Sequence, residues 1–279
     1  MIKLGEVQDL TVVKKVEFGV YLAAEGGNTE EKVLLPEKQV PEGTQAGDII
    51  RVFIYRDSSD RLIATTKEAM LTLGKVAVLK VAQVAKIGAF LDWGLEKQLL
   101  LPFKEQTWQV REGEDCLVAL YIDKSNRLCA TMKVYHYLNT DSPYKKDDRV
   151  TGRVYEISRE FGAFVAVDDK YSGLISGKEL YGDIREGDIV HARVAGVKED
   201  GKLDLSLREK AYLQISTDAD KILKMLESYD GVLPFNDKAD PDTIKRAMQM
   251  SKNEFKRAVG RLLKEGKIII DGNGIRKIE

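Results

Sequence analysis

The residues with most to offer chemically are aromatic, and they recur in one setting. "EFGVYL" (residues 17–22), "KIGAFL" (86–91) and "EFGAFV" (160–165) centre on Gly19, Gly88 and Gly162, with Phe18 and Tyr21, Phe90, and Phe161 and Phe164 beside them. A ring exposed there makes and breaks no bonds. It offers a flat π-face on which a nucleobase can stack, worth about 1–3 kcal/mol per base and tolerant of base identity. The second stretch carries Ile87 where the others carry Phe, which leaves half a platform. Residues three apart in a regular strand point to opposite faces, so Phe161 and Phe164 share a surface only if Gly162 allows a bulge or sharp bend. Otherwise one ring belongs to the core.

Material for bond-making chemistry is scarce. The chain has 279 residues but only two histidines, His136 and His191, and two cysteines, Cys116 and Cys129. That is too little for a disulfide scaffold or a zinc site. Asp147-Asp148 and Asp168-Asp169 read as solvated turns, and Gly26-Gly27 lies in an acidic loop rather than a phosphate cradle. Neither a Walker nor a dinucleotide pattern is present. No catalytic site, metal or cofactor is expected.

The elements that must carry the rings repeat as well. After each glycine come the apolar runs "VLLP", "LLLP" and "GLIS", then the turns Gly47-Asp48, Gly113-Glu114 and Gly187-Asp188, each opening a β-rich run. "RLIATTK", "RLCATMK" and "KLDLSLR" close the units. Five short strands per unit, punctuated by Gly, Asp and Asn, predict three small closed barrels, since closure removes exposed edges. Gly152 lies closer to Gly162 than Gly5 to Gly19 or Gly74 to Gly88, which predicts a tighter first hairpin in the third unit. Aligning the units sets Cys116 opposite Ile50 and Cys129 opposite Ile63, so both thiols read as small buried hydrophobes.

Beyond "LREKAYLQIST" the texture turns helical. "DADKILKMLESYDG" ends at Gly231; Asp240-Pro241 reads as an N-cap followed by proline at the first helical position. "SKNEFKRAVGRLLKEG" opens with a capping box from Ser251 to Glu254 and carries the apolar stripe Phe255, Val259, Leu262 and Leu263. A hairpin around Asp271-Gly272-Asn273-Gly274 follows. Three helices and a hairpin describe a winged helix-turn-helix. The face opposite the stripe presents Asn253, Lys256, Arg257, Arg261 and Lys264, a basic face on what would be a recognition helix.

The "FGAFV" strand, the "SGLISGKEL" segment, the Gly-Asp turn and the "GKLDLSLR" strand make each repeat resemble an S1 RNA-binding domain, the third most closely. Three such barrels followed by a winged helix resemble the conserved virulence factor B family of bacteria over essentially the whole chain. The resemblance implies a mainly β multidomain fold: S1-like, OB-type barrels over 1–70, 71–140 and 145–212, and a winged helix over 215–279. It places Phe18, Tyr21, Phe90, Phe161 and Phe164 on an RNA-binding face. The turn-flanking acid and base of the family fall at Asp57 and Arg61 and at Asp123 and Arg127; in the third repeat Lys202 remains of the pair. A histidine common in S1 domains falls at Pro36, Pro102 and Ser176, so that imidazole is missing.

Composition sets bounds on this reading. With 43% hydrophobic and 32% charged residues the chain is folded rather than disordered. No apolar run spans a bilayer and the first residues lack a signal-peptide pattern, so a cytoplasmic protein is expected. A net charge of −1 argues against gripping duplexes mainly by phosphate neutralisation, but leaves single-strand binding open. The expected protein binds single-stranded RNA without catalysis. Rival readings are a DNA-binding regulator working through the winged helix and a protein–protein adaptor. Joints at 67–74 and 207–217 read as semi-rigid, and 139–148 as the freest hinge.

Overall fold

Alternating apolar residues along β1 (Val7–Val16) bury Leu10 and Val12 while their neighbours face out, as a half-buried strand requires. With β2 (Gly19–Ala23), β3 (Lys32–Pro36), β4 (Ile49–Arg56) and β5 (Leu62–Thr65) it forms a closed barrel of order β1-β2-β3-β5-β4. The computed structural model describes residues 1–26, 31–180, 184–207, 211–271 and 274–278, without the side chains of 211–217. Gly27, the tip Gly272-Asn273 and residues 208–210 of the expected third joint lie outside these.

The second unit comprises β6 (Val76–Ala85), β7 (Gly88–Asp92), β8 (Leu99–Pro102), β9 (Asp115–Ile122) and β10 (Leu128–Thr131). The third comprises β11 (Arg149–Ser158), β12 (Gly162–Val167), β13 (Tyr171–Ser176), β14 (Ile189–Val197) and β15 (Leu203–Ser206). The third barrel closes through three parallel pairs between β13 and β15, the first through Leu34 opposite Ile63 alone. In the second, the order β10-β9-β6-β7-β8 is kept and β8 lies against β10, although no parallel ladder pairs the two.

Cross-strand register bears out the alignment of the cysteines. Leu10 pairs with Ile50 as Leu79 pairs with Cys116, and Tyr55 pairs with Ile63 as Tyr121 pairs with Cys129. Both thiols are free and buried; burial pushes Cys116 up to about 12 and Cys129 to about 11.

The tighter hairpin expected in the third unit is not there. β1 and β11 are the same length, and Gly152 sits inside β11, opposite Val190, where Leu10 sits opposite Ile50. The turn position of Gly5 and Gly74 is taken instead by Asp147, in the same left-handed conformation (φ 81°), whose N–H reaches the Val194 carbonyl (2.7 Å).

Residues 139–148 are not a free hinge either. Asn139 bridges Tyr171 in parallel, its N–H bonding the Lys170 carbonyl and its carbonyl accepting from Ser172, and the Tyr144 hydroxyl donates to Asp168. The proline and charges suggested a loop, but the backbone groups of Asn139 find partners on the third barrel. The adjacent acids occupy turns as expected, yet they are not merely solvated: Asp147 accepts from Arg193 and Asp169 from Arg153, both at 3.0 Å.

The barrels form one compact unit, Met1–Leu207. Phe53 and Tyr55 of the first join Leu71 and the core of the second, where the Phe53 and Trp93 rings meet edge to face at 5.7 Å. Leu117 and Ala119 on β9 and Tyr155 and Ala166 of the third barrel enclose Val134 and Leu138 in a second joint.

Arg208–Glu279 is a separate unit. Its helices are α1 (Ala211–Ser228), which begins earlier than the sequence texture indicated, α2 (Pro241–Met248) and α3 (Lys252–Lys264). β16 (Val232–Leu233), β17 (Ile268–Asp271) and β18 (Gly274–Lys277) form a sheet of order β16-β18-β17. Asp240 caps α2 and the Ser251–Glu254 capping box opens α3, as expected. In the stripe of α3, Ala258 is buried whereas Leu263 is exposed, because the core lies on the side of Phe255, Val259 and Leu262. No helix among the described residues is long and apolar enough to cross a membrane.

Candidate nucleic-acid interface

Along β12, Ala163, Val165 and Val167 point into the barrel core, which leaves Phe164 on the outer face. Phe161 precedes the ladder, in the turn after β11, and is 54% exposed. The two rings nevertheless meet, with centroids 6.4 Å apart. Gly162 brings this about without a bulge of its own: it stays in register opposite Ser158 and Ser176. Its backbone turns at φ 120°, and any Cβ there would lie 2.1 Å from the Ile175 carbonyl oxygen. The bulge lies in the partner strand, between Val154 and Glu156, and recurs between Val12 and Lys14 and between Val81 and Gln83.

The same construction serves the other units. Phe18 (58% exposed) meets half-buried Tyr21 at 6.5 Å, and Lys32 lies over the Tyr21 ring. Ile87 (60% exposed) and half-buried Phe90 line a cleft with Arg56, Asp60 and Arg127.

The basic partners have more company than the sequence indicated. Arg61 forms a 2.7 Å ion pair with Asp57 inside its own hairpin. Burial pulls the Asp57 carboxyl up, but the bonds from the Arg61 side chain and from the Arg61 and Ser59 N–H groups outweigh it and hold it below the usual range. Arg127 pairs across the joint with Asp60 of the first barrel (3.4 Å), while Asp123 closes its own turn by accepting from the Ser125 and Arg127 N–H groups.

In the third unit Lys198 stands where the others have Asp57 and Asp123, and the acid has moved two residues on, to Asp200. Asp200 accepts from the Lys202 ammonium at 2.7 Å. That bond, and then the Tyr135 side chain, hold the Lys202 ammonium above the ordinary lysine range. Tyr135, Phe161, Phe164, Lys198, Asp200 and Lys202 border one groove of about 260 Å³. Tyr135 and Lys198 escaped the sequence reading. Tyr135 lies between repeats, and counted from the last residue of the fifth strand its counterpart is Ala69, so no repeat pattern could reveal it.

On α3, Lys256, Arg257 and Lys264 are exposed with Asn253. Arg261 is half-buried and bonded to Glu265 at 2.7 Å, so it belongs less to the open face than its spacing suggested.

Comparison with known proteins follows these units. Residues 4–67 and 73–133 match the S1 domain family, 135–209 match the second domain of the virulence regulatory factor CvfB, and 220–276 match the CvfB-like winged helix domain. The chain is 30% identical over 293 residues to Conserved virulence factor B of Staphylococcus saprophyticus, covering 96% of this chain and 97% of the relative. The chain belongs to the conserved virulence factor B family. Within it, the S1 model matches the first two repeats, and the third, the repeat whose residues most resemble an S1 domain, matches the family's own second-domain model. The third keeps the strand order but has its own turn before β12 and a Lys198–Asp200–Lys202 hairpin.

Identity to uncharacterized protein YitL of Bacillus subtilis is 32% over 274 residues, covering 95% of this chain and 90% of that one. A crystal structure of a multidomain protein with nucleic acid binding domains from Streptococcus pneumoniae is 27% identical, with a TM-score of 0.50 and coverage of 99% and 98%.

Proposed function

We propose that this protein binds single-stranded RNA through its tandem barrels and the winged helix, without catalysing a reaction, as a post-transcriptional regulator. The observation that carries this reading is the ring pair of the third barrel, Phe161 and Phe164 at 6.4 Å on an outer face rimmed by Lys198 and Lys202. Exposed rings stack bases of any identity, and flanking ammonium groups meet the phosphates. Membership of a family built from S1 domains, and a relative with nucleic acid binding domains, support it. Several weak sites on one chain add through effective concentration. The four modules are taken as 1–70, 71–140, 145–212 and 215–279.

Titration of single-stranded RNA, single-stranded DNA and duplex DNA at one fixed salt concentration tests this reading, with tightest binding expected for the first. A preference for duplex DNA favours the rival reading, DNA regulation through α3, for which the exposed Lys256, Arg257 and Lys264 speak. Binding of none of the three leaves the adaptor reading, with which the near-neutral charge agrees.

A further inference from the structure

A third ring reaches the outer face of the third barrel from outside its own strands. Tyr135 belongs to a 3-10 turn, Val134–His136, that follows the last strand of the second barrel. Buried Val134 and Leu138 pin this turn on both sides into the joint with the third barrel. Between them Tyr135 remains exposed. Its ring stands perpendicular to Phe164 at a centroid distance of 5.7 Å, while Phe161 meets Phe164 at 6.4 Å with 60° between planes. The Lys202 ammonium lies 5.3 Å from the Tyr135 centroid and is tethered to Asp200.

We propose that Tyr135 is the third wall of a base-binding pocket on the third barrel, so that the second and third modules build one site for a single unpaired nucleobase of an RNA strand. This rests on the RNA reading above and adds to it a residue, a composite site and a stoichiometry of one base. The chemistry fits that class of ligand. Three ring surfaces offer π-contacts to a flat heterocycle. Asp200 accepts from exocyclic amino groups, and Lys198 and Lys202 donate to base carbonyls or phosphate oxygens. A groove of about 260 Å³ has room for a base, and bases inside a duplex have their faces already stacked and unavailable to it. The second barrel lacks this arrangement twice over, with Ile87 in place of Phe161 and Ala69 in place of Tyr135.

The test uses the full chain with Tyr135→Phe, Tyr135→Leu and Tyr135→Ala, a melt of each, and a single-stranded RNA of about eight nucleotides, within the site size of one barrel. Affinity is measured by titration. Ultraviolet crosslinking, mapped to the peptide carrying Phe161 and Phe164, reports occupancy of this pocket separately from the other barrels. Tyr135→Phe should keep both affinity and crosslink. Tyr135→Leu, which retains an apolar contact with Phe164 and an unchanged melt, should lose the crosslink and weaken binding at this site by roughly 5- to 100-fold. The proposal is overturned if wild type crosslinks there and Tyr135→Leu crosslinks equally. If Tyr135→Ala alone loses binding while its melt drops, and Tyr135→Leu behaves as wild type, Tyr135 is a packing residue and the proposal also fails. Absence of RNA binding by wild type overturns the RNA reading itself, and this inference with it.

Discussion

At Gly162 a side chain would occupy the space of the Ile175 carbonyl oxygen, and that constraint decides which rings a base can reach. Phe161 sits in the turn, half its surface in solvent and one side against Phe164, whereas Phe164 backs onto buried Tyr155 at 6.1 Å as well as onto the groove. Phe161→Ala should therefore weaken RNA binding by about 1–3 kcal/mol and leave the melting temperature unchanged. Phe164→Ala should lower both, its stability loss falling below the ~3–5 kcal/mol of a fully buried ring. A melt and a binding titration on each variant separate the two; equal melting temperatures would mean that the half-buried ring supports nothing. These rings were legible in the sequence because they recur beside a repeated glycine. The ion pair between Arg127 and Asp60 was not, since it joins two repeats and no spacing within one encodes it.

Helix α3 shows how far periodicity carries an element. The capping box and the positions of Phe255, Val259 and Leu262 follow from residue type and a period of 3.6. The exposure of Leu263 does not, because it depends on where the sheet and α1 lie, which only the tertiary fold sets. If the helix meets phosphates, replacing Lys256, Arg257 and Lys264 by Ala should flatten the log–log salt dependence of RNA binding by about 0.7 per lost contact. An unchanged slope, read from titrations across a salt series, would make this face a merely solvated one. The cap itself sets a pH dependence. Bonds from the Ser251 N–H and side chain hold the Glu254 carboxyl below the usual range. Its contribution is therefore full above the unfolded value and lost as pH falls through the depressed folded one. Glu254→Ala should cost about 0.3–1 kcal/mol at neutral pH, and the gap between the two melting curves should close on acidification. A gap constant with pH would show that the charge contributes nothing.

For the whole molecule, five strands per repeat and a short, semi-rigid joint at 67–74 could be read from turn residues and apolar runs, but the packing at the joints could not. The proline and charges of residues 139–148 advertise freedom, while the hydrogen bonds of Asn139 tie them to the third barrel. The shared core between the first two barrels makes a testable claim of its own. Trp93 is 2% exposed and packs on Phe53, so Trp93→Ala should cost about 3–5 kcal/mol. Hydrogen exchange should then rise in β4 of the first barrel as well as in the second. Protection of β4 at wild-type levels would mean that the barrels unfold independently.

That shared core also has a history within each synthesis of the chain. All five strands of the first barrel precede Trp93 in the order of translation, so the barrel can close while the flank that carries Phe53 and Tyr55 still lacks its cover. At about 5–20 residues per second the wait is on the order of a few seconds. During it the nascent chain carries an apolar patch that the finished protein never shows. A ribosome stalled once the whole first barrel has cleared the exit tunnel would hold that patch in view, and the emergence of the second barrel hides it again.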